Sequence, residues 1–184
     1  MKRVVYLCIF MSLLAASCNR LKQLANINVG IPYDYELTVP NYVDTISVPP
    51  GVGTDVSLPA IPVETDSRQR LKDYNTAAEK IVDVKLGTLT MKVLQPPGGN
   101  FDFVSAMSAY LSAPGLPEVQ VASINGIPKG QDSIAMVCSN ADLRNYFLSD
   151  TIYVRMQGHF NSIPPPNTSF RIHTVFKLRA NPLN

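Results

Sequence analysis

Residues 151–160, close to the C-terminal end, alternate regularly between apolar and polar side chains. A period of two places every second side chain on one face of an extended strand, whereas a helix needs a period near 3.6. The same alternation, interrupted by Pro, Gly and Asn, recurs through most of the chain after Ile31. The chain is therefore constrained to fold as a series of short strands. The side chains expected to face inward from the last two strands are Ile152, Val154, Met156, Phe160, Phe170, Ile172, Phe176 and Leu178.

This pattern predicts strands over most of the chain. They cover residues 34–39, 44–48, 55–61, 82–94, 106–112, 119–124, 133–138, 151–160 and 170–178. The first three lie in a proline-rich stretch. Because proline cannot donate to a strand ladder, we expect these three to be short and close to a sheet edge.

The strand predicted over residues 82–94 changes its buried parity halfway along. Val84 and Leu86 are apolar at even positions, and Leu89, Met91 and Val93 are apolar at odd positions. One extra residue at the change would keep both halves facing the core. The sequence therefore predicts a β-bulge at Gly87.

Two segments have helical character. Residues 66–81 carry an apolar stripe at steps of three and four, with Asp66 or Ser67 as the N-terminal cap. The stripe consists of Leu71, Tyr74, Ala78 and Ile81. Residues 140–148 predict one or two helical turns capped by Ser139 or Asn140.

Many short strands with few helices predict an all-β fold, an antiparallel β-sandwich with one inserted helix and a short helical turn. A barrel is the alternative. Asn125-Gly126 is a tight-turn signal. The last two strands are expected to form a hairpin around a loop at residues 162–168, which contains three consecutive prolines.

The N-terminal segment has the order of a secretory signal peptide. Lys2 and Arg3 are followed by an uncharged apolar run over 4–14 and then by small residues. As a helix, residues 4–17 would rise about 21 Å at 1.5 Å per residue. That is shorter than the roughly 30 Å hydrocarbon core of a bilayer, so a removed signal over residues 1–17 is favoured over a permanent span.

The end of this segment, Ala15-Ala16-Ser17-Cys18, resembles the lipobox of bacterial lipoprotein precursors, with Leu14 one position further out. The resemblance implies cleavage before Cys18 and attachment of diacylglycerol to its sulfur, with fatty chains such as palmitate holding the protein on a membrane. Asn19 differs from the Asp that resembles an inner-membrane retention signal, so we expect a cell-envelope location at the outer membrane. The face of that membrane stays open. An ordinary secretory signal is the alternative, and residues 18–30 and 31–184 are predicted to be a tether and the β-sandwich domain.

The region over residues 85–182 resembles uncharacterised lipid-anchored β-sandwich proteins of Gram-negative bacteria. The residues that carry this resemblance are Phe101-Asp102-Phe103, the Leu111–Pro117 run, the Ala141–Tyr146 run and the closing strands. The resemblance implies a fold and no reaction.

Charge excludes one class of partner. The whole chain has a formal net charge of +2, and removing Lys2 and Arg3 with the signal leaves 14 basic and 14 acidic residues. A neutral mature protein has no overall field to attract a polyanion, so nucleic acid is not expected as a partner. Cys138 would then have no intramolecular thiol partner, and we interpret it as a small hydrophobic residue.

Basic side chains share the outward parity of the last two strands. They are Arg155, His159, Arg171, His173, Lys177 and Arg179. In a hairpin that pairs His159 with Arg171, they would form one face able to contact anionic lipid, polysaccharide or an acidic protein surface. The alternative is an ordinary solvated sheet surface.

No catalytic, metal or cofactor site is predicted. Known nucleophile, zinc and phosphate-binding motifs are absent from the sequence. The two histidines would be diagonal neighbours on the hairpin but surrounded by cations, with no carboxylate expected nearby.

The sequence therefore favours a non-catalytic structural or binding module. The alternatives are a carbohydrate-binding surface lipoprotein and, less favoured, a hydrolase with a carboxylate pair. The aromatic residues that could form a sugar platform are Tyr33, Tyr35, Tyr42, Phe101, Phe103 and Tyr110.

Overall fold

Two antiparallel sheets face each other, which confirms the predicted all-β sandwich. The structure, a computed structural model, describes residues 26–38, 48–49, 52–74 and 76–181. The smaller sheet has four strands in the order β1-β10-β4-β7. The larger sheet has six, in the order β2-β9-β5-β6-β8, with β3 also paired to β9.

The elements have the following bounds. The first strands are β1 (Ile27–Thr38), β2 (Thr54–Ser57), β3 (Ile61–Glu64) and β4 (Ile81–Gln95). The middle strands are β5 (Val104–Ala113), β6 (Leu116–Asn125), β7 (Ser133–Ala135) and β8 (Val137–Cys138). The last strands are β9 (Thr151–Phe160) and β10 (Ser169–Ala180), and the helices are α1 (Ser67–Asp73) and α2 (Arg144–Phe147).

The predicted C-terminal hairpin is wrong. β9 pairs with β2, β3 and β5, whereas β10 pairs with β1 and β4 in the opposite sheet. In both strands the apolar side chains at alternate positions are still buried, as the alternation predicts; they include Ile152, Met156, Phe170 and Leu178. Alternation fixes which side chains face the core but not which sheet supplies the strand. The loop after Phe160 is long enough to cross the roughly 10 Å between facing sheets.

The bulge at Gly87 is confirmed. In the β10–β4 ladder Val175 faces Thr88 and Phe176 faces Leu86, so Gly87 is the unmatched residue. Val84 and Leu86 are buried before it, and Leu89, Met91 and Val93 are buried after it.

The segment predicted as one strand over residues 133–138 is divided between the sheets. β7 pairs with β4, and β8 pairs with β6 in the other sheet. Met136 lies between them, buried, and donates its N–H to the Leu89 carbonyl. Gly126 has the positive φ that a tight turn needs, but β6 and β7 belong to different sheets, so Asn125-Gly126 closes no hairpin.

The predicted long helix is much shorter than expected. α1 ends at Asp73, and the Thr76 N–H bonds to the Leu71 carbonyl just beyond it. Of the predicted stripe, Leu71 is the residue that lies inside this helix and is buried. Tyr74 is the exposed C-terminal cap, Ala78 begins a 3-10 turn, and Ile81 begins β4. Asp66 has φ 47° and makes no side-chain cap hydrogen bond.

The short helical turn also begins differently. It covers Arg144–Phe147, and neither Ser139 nor Asn140 caps it. The Asp142 carboxylate instead accepts hydrogen bonds from the N–H groups of Arg144 and of Val84, at 3.0 Å and 3.2 Å. This carboxylate therefore joins α2 to β4.

Other boundaries at the N-terminal side need correction. β1 begins at Ile27, inside the segment predicted as a tether, and is not short. The segment over 55–61 becomes two strands, and β1, β2 and β3 lie at sheet edges as the prolines predict. The strand predicted over 44–48 lies outside the described residues except for Val48, which is not in a strand.

Candidate functional site

The basic residues predicted on one face lie on two faces that point away from each other. Arg155 and His159 belong to β9, on the outside of the six-stranded sheet. Arg171, His173, Lys177 and Arg179 belong to β10, on the outside of the four-stranded sheet. The predicted single face for an anionic partner is therefore wrong, because it depended on the hairpin.

On the six-stranded sheet, Arg155 is bound from several sides. Its guanidinium donates to both carboxylate oxygens of Glu118 at 2.6 Å and 2.8 Å and to the Ser57 hydroxyl at 2.7 Å. It also lies over the Tyr110 ring, 4.2 Å from the centroid. The Arg155 hydrogen bond holds the pKa of the Glu118 carboxyl below its usual range.

On the four-stranded sheet, three basic residues of β10 each contact a carboxylate. Arg171 meets Glu36 at 3.0 Å, His173 meets Asp34 at 2.9 Å, and Arg179 bonds to Asp83. These partners lie directly opposite in the strand ladders, from β1 on one side and β4 on the other. Lys177 differs from these three, because the ladders place Gly30 and Lys85 opposite it.

Sequence reasoning missed these carboxylates. His159 contacts Asp55 at 2.8 Å, although no carboxylate was expected near either histidine. The available signal was the outward parity of Asp34 and Glu36 in the first strand. This outward position identifies Asp34 and Glu36 as partners of His173 and Arg171 only when the pairing of β1 with β10 is known.

Chemistry-bearing groups do not converge in the part of the chain that the structure describes. No group of three or more His, Cys, Asp or Glu side chains is placed to hold a metal ion there. Among those same residues, no helix has the length and apolar character needed to cross a bilayer.

One feature with the shape of a site is an apolar cavity between the sheets, with a volume of about 160 Å³. Side chains from both sheets and from α2 line it. Its deep part includes Ala109, Val121, Leu143 and Phe147, which are all buried. Its outer part includes Leu37, Leu58, Pro59 and Ile61, from the edge strands β1 and β3 and the segment before β3.

One side of this cavity is closed by Tyr33. Its hydroxyl donates to the Thr65 carbonyl at 2.7 Å, and the Arg70 guanidinium covers its ring at 3.9 Å. Burial raises the pKa of Tyr33 to about 12, although the charge of Arg70 opposes this rise. Burial also raises the pKa of Tyr35, so both phenols are neutral in ordinary conditions.

The aromatic residues considered as an alternative sugar platform do not share one exposed surface among the described residues. Tyr35 is half-buried and stacks on Tyr33, with ring centroids 6.3 Å apart. Phe101, Phe103 and Tyr33 are buried, and Tyr110 lies beneath Arg155. Phe101 and Phe103 instead pack with Phe160 and Phe170 where the two sheets meet. Tyr42 lies outside the described residues.

Cys138 and Cys18 stand differently. Cys138 is half-buried at the end of β8, and burial raises the pKa of its thiol. Cys18 and the signal segment over residues 1–17 lie outside the described residues, so lipidation stays a prediction from the sequence.

No family model matches the chain, and no curated protein matches it. Among solved structures, the chain is similar to one of desmodium yellow mottle tymovirus, at 12% identity and a TM-score of 0.23. That match covers 86% of this chain and 91% of the other. At this TM-score the likeness carries no argument, and the sandwich is assigned from the strand pairing itself.

Proposed function

We propose that this protein is a non-catalytic binding module of the cell envelope, held on the outer membrane by fatty chains on Cys18. The observation that carries the proposal is the N-terminal order of two basic residues, an apolar run and Ala15-Ala16-Ser17-Cys18. Each buried acyl methylene contributes about 0.8 kcal/mol, so two or more chains hold a protein firmly on a bilayer.

The described surface supports a neutral module. Basic residues on both outer faces contact carboxylates, as in the Arg155–Glu118 and Arg171–Glu36 pairs. A paired charge attracts a distant polyanion less than a free one, so we assign the proposed membrane attachment to lipid and not to a basic face. The partner is a protein, a polysaccharide or a smaller ligand of the envelope.

Membrane fractionation tests the anchor. Cys18→Ser removes the sulfur that would carry the lipid, and the variant should move from the membrane fraction to the soluble fraction. Cys138→Ser is the matched control, because it removes the other cysteine expected in the mature chain and should leave the protein on the membrane. A Cys18→Ser protein that stays with the membrane after a salt wash contradicts the proposal.

A further inference from the structure

The inter-sheet cavity has the chemistry of a site for an apolar guest. Nearly all of its lining is aliphatic or aromatic, from residues such as Leu111, Ile152 and Phe176. A water molecule in a cavity needs two to four polar partners, which these walls do not supply. An engineered cavity of about 150 Å³ with Leu, Ile and Phe walls stays dry and binds benzene, so the volume of about 160 Å³ here suits a guest of that size.

The cavity extends to the surface between two sheet edges. β1 is the edge of the four-stranded sheet, and β2 and β3 form the edge of the six-stranded sheet. Ile61, Pro59 and Leu58 all line the cavity. Ile61 is 40% exposed, Pro59 is exposed, and Leu58 is half-buried. An apolar molecule therefore has a mainly apolar route inward, and Glu36, which is paired with Arg171, is the charged residue that also lines the cavity.

The depth of the cavity depends on a small residue. Ala109 lies in the central strand β5, is fully buried and lines the cavity. Its cross-strand partner in β9 is Met156, which also lines the cavity. A larger side chain at position 109 would occupy the space that a guest would fill.

We propose that this cavity binds one apolar guest of about the size of benzene, either a small free hydrocarbon or the end of an acyl chain. Binding removes the guest and the walls from water and needs no hydrogen bond. The proposal does not depend on the lipid anchor, because it uses only described residues of the sandwich.

Methyl NMR of the mature chain over residues 18–184 carrying Cys18→Ser, without detergent, tests the proposal with toluene as the first probe. We expect saturable shifts concentrated at lining methyls such as those of Val121, Ile152 and Met156. Ala109→Leu should weaken toluene binding at least tenfold. Ala113→Leu is the matched control, since Ala113 is also buried in β5 but does not line the cavity, and it should leave binding unchanged.

A second variant is needed in case Ala109→Leu does not fold. Val154→Phe enlarges a half-buried lining residue and should also weaken toluene binding while keeping a dispersed spectrum. A second probe, dihexanoylphosphatidylcholine below its micelle concentration, separates the two sources of guest. Saturable shifts with both probes show that acyl ends enter, and shifts with toluene alone identify a free hydrocarbon. Shifts that do not saturate, or that survive in both cavity-filling variants, overturn the proposal.

Discussion

At the scale of single residues, Tyr33 makes the sharpest prediction about pH. The unfolded phenol ionises near pH 10, whereas burial raises the pKa of folded Tyr33 to about 12. Between these values the folded state holds a proton that the unfolded state has lost. The stability that protonated Tyr33 contributes is therefore fully present below about pH 10, and it is lost as the pH rises toward 12.

Chemical denaturation at several pH values checks this. Tyr33→Phe should reduce the fall in unfolding free energy between pH 10 and 12, leaving a smaller slope from groups such as Tyr35. At neutral pH the same variant should cost about 1 kcal/mol, because the hydrogen bond to the Thr65 carbonyl is lost. An unchanged alkaline slope would show that Tyr33 is not the group whose ionisation destabilises the fold.

The Arg155–Glu118 pair makes a prediction on the acid side. Arg155 lowers the pKa of the Glu118 carboxyl, so the pair's stabilisation is present above the ordinary pKa of glutamate and is lost as the pH falls through the lowered value. Arg155→Ala should raise the pKa of Glu118 in a carboxyl NMR titration and cost about 0.2–1 kcal/mol near neutrality, because the pair is partly exposed.

Ser57→Ala is the control for that experiment. It removes one hydrogen-bond acceptor of Arg155 and keeps both contacts to Glu118, so the Glu118 titration should stay close to that of the unmodified protein. A Glu118 pKa that is insensitive to Arg155→Ala would show that the contact does not persist in solution.

At the scale of elements, the sequence predicts which face of a strand is buried, but it does not predict which strands pair with one another. The buried faces of β4, β5, β9 and β10 and the bulge at Gly87 follow from local alternation. The sheet to which a strand belongs depends on residues far along the chain, as when β1 pairs with β10. For the same reason the contacts of Asp34 and Asp55 with the two histidines could not be foreseen.

The separation of the last two strands is testable by NMR. Gln157 lies opposite Ser108 of β5 in the six-stranded sheet, whereas the hairpin expected from the sequence would place it opposite His173. Cross-strand NOEs between Gln157 and Ser108 should be observed, and NOEs between Gln157 and His173 should be absent. The reverse pattern would restore the hairpin and contradict the sandwich described here.

The bulge makes a prediction about deletion. Removing Gly87 would turn the inward residues of one half of β4 outward, including Val84 and Leu86 or Leu89 and Met91. We expect this deletion to prevent cooperative unfolding, measured by circular dichroism. Gly87→Ala keeps the residue count, and its methyl would meet mainly the flexible Lys177 side chain, so it should stay folded. A deletion variant as stable as Gly87→Ala would exclude the bulge as the reason for the parity change.

At the scale of the whole molecule, three properties belong together. The two sheets enclose an apolar interior, ion pairs lie on both outer faces, and the mature chain that the signal pattern implies would have equal numbers of acidic and basic residues. Nothing in such a body predicts strong attraction to a membrane, so the proposed location depends on the covalent anchor.

The most direct test of the anchored module is the intact mass of the protein extracted from the membranes of the cells that naturally make it. We expect a chain that begins at Cys18 and carries the added mass of diacylglycerol on its sulfur. A chain that retains Met1, or one that begins beyond residue 18 without any acyl mass, would contradict it.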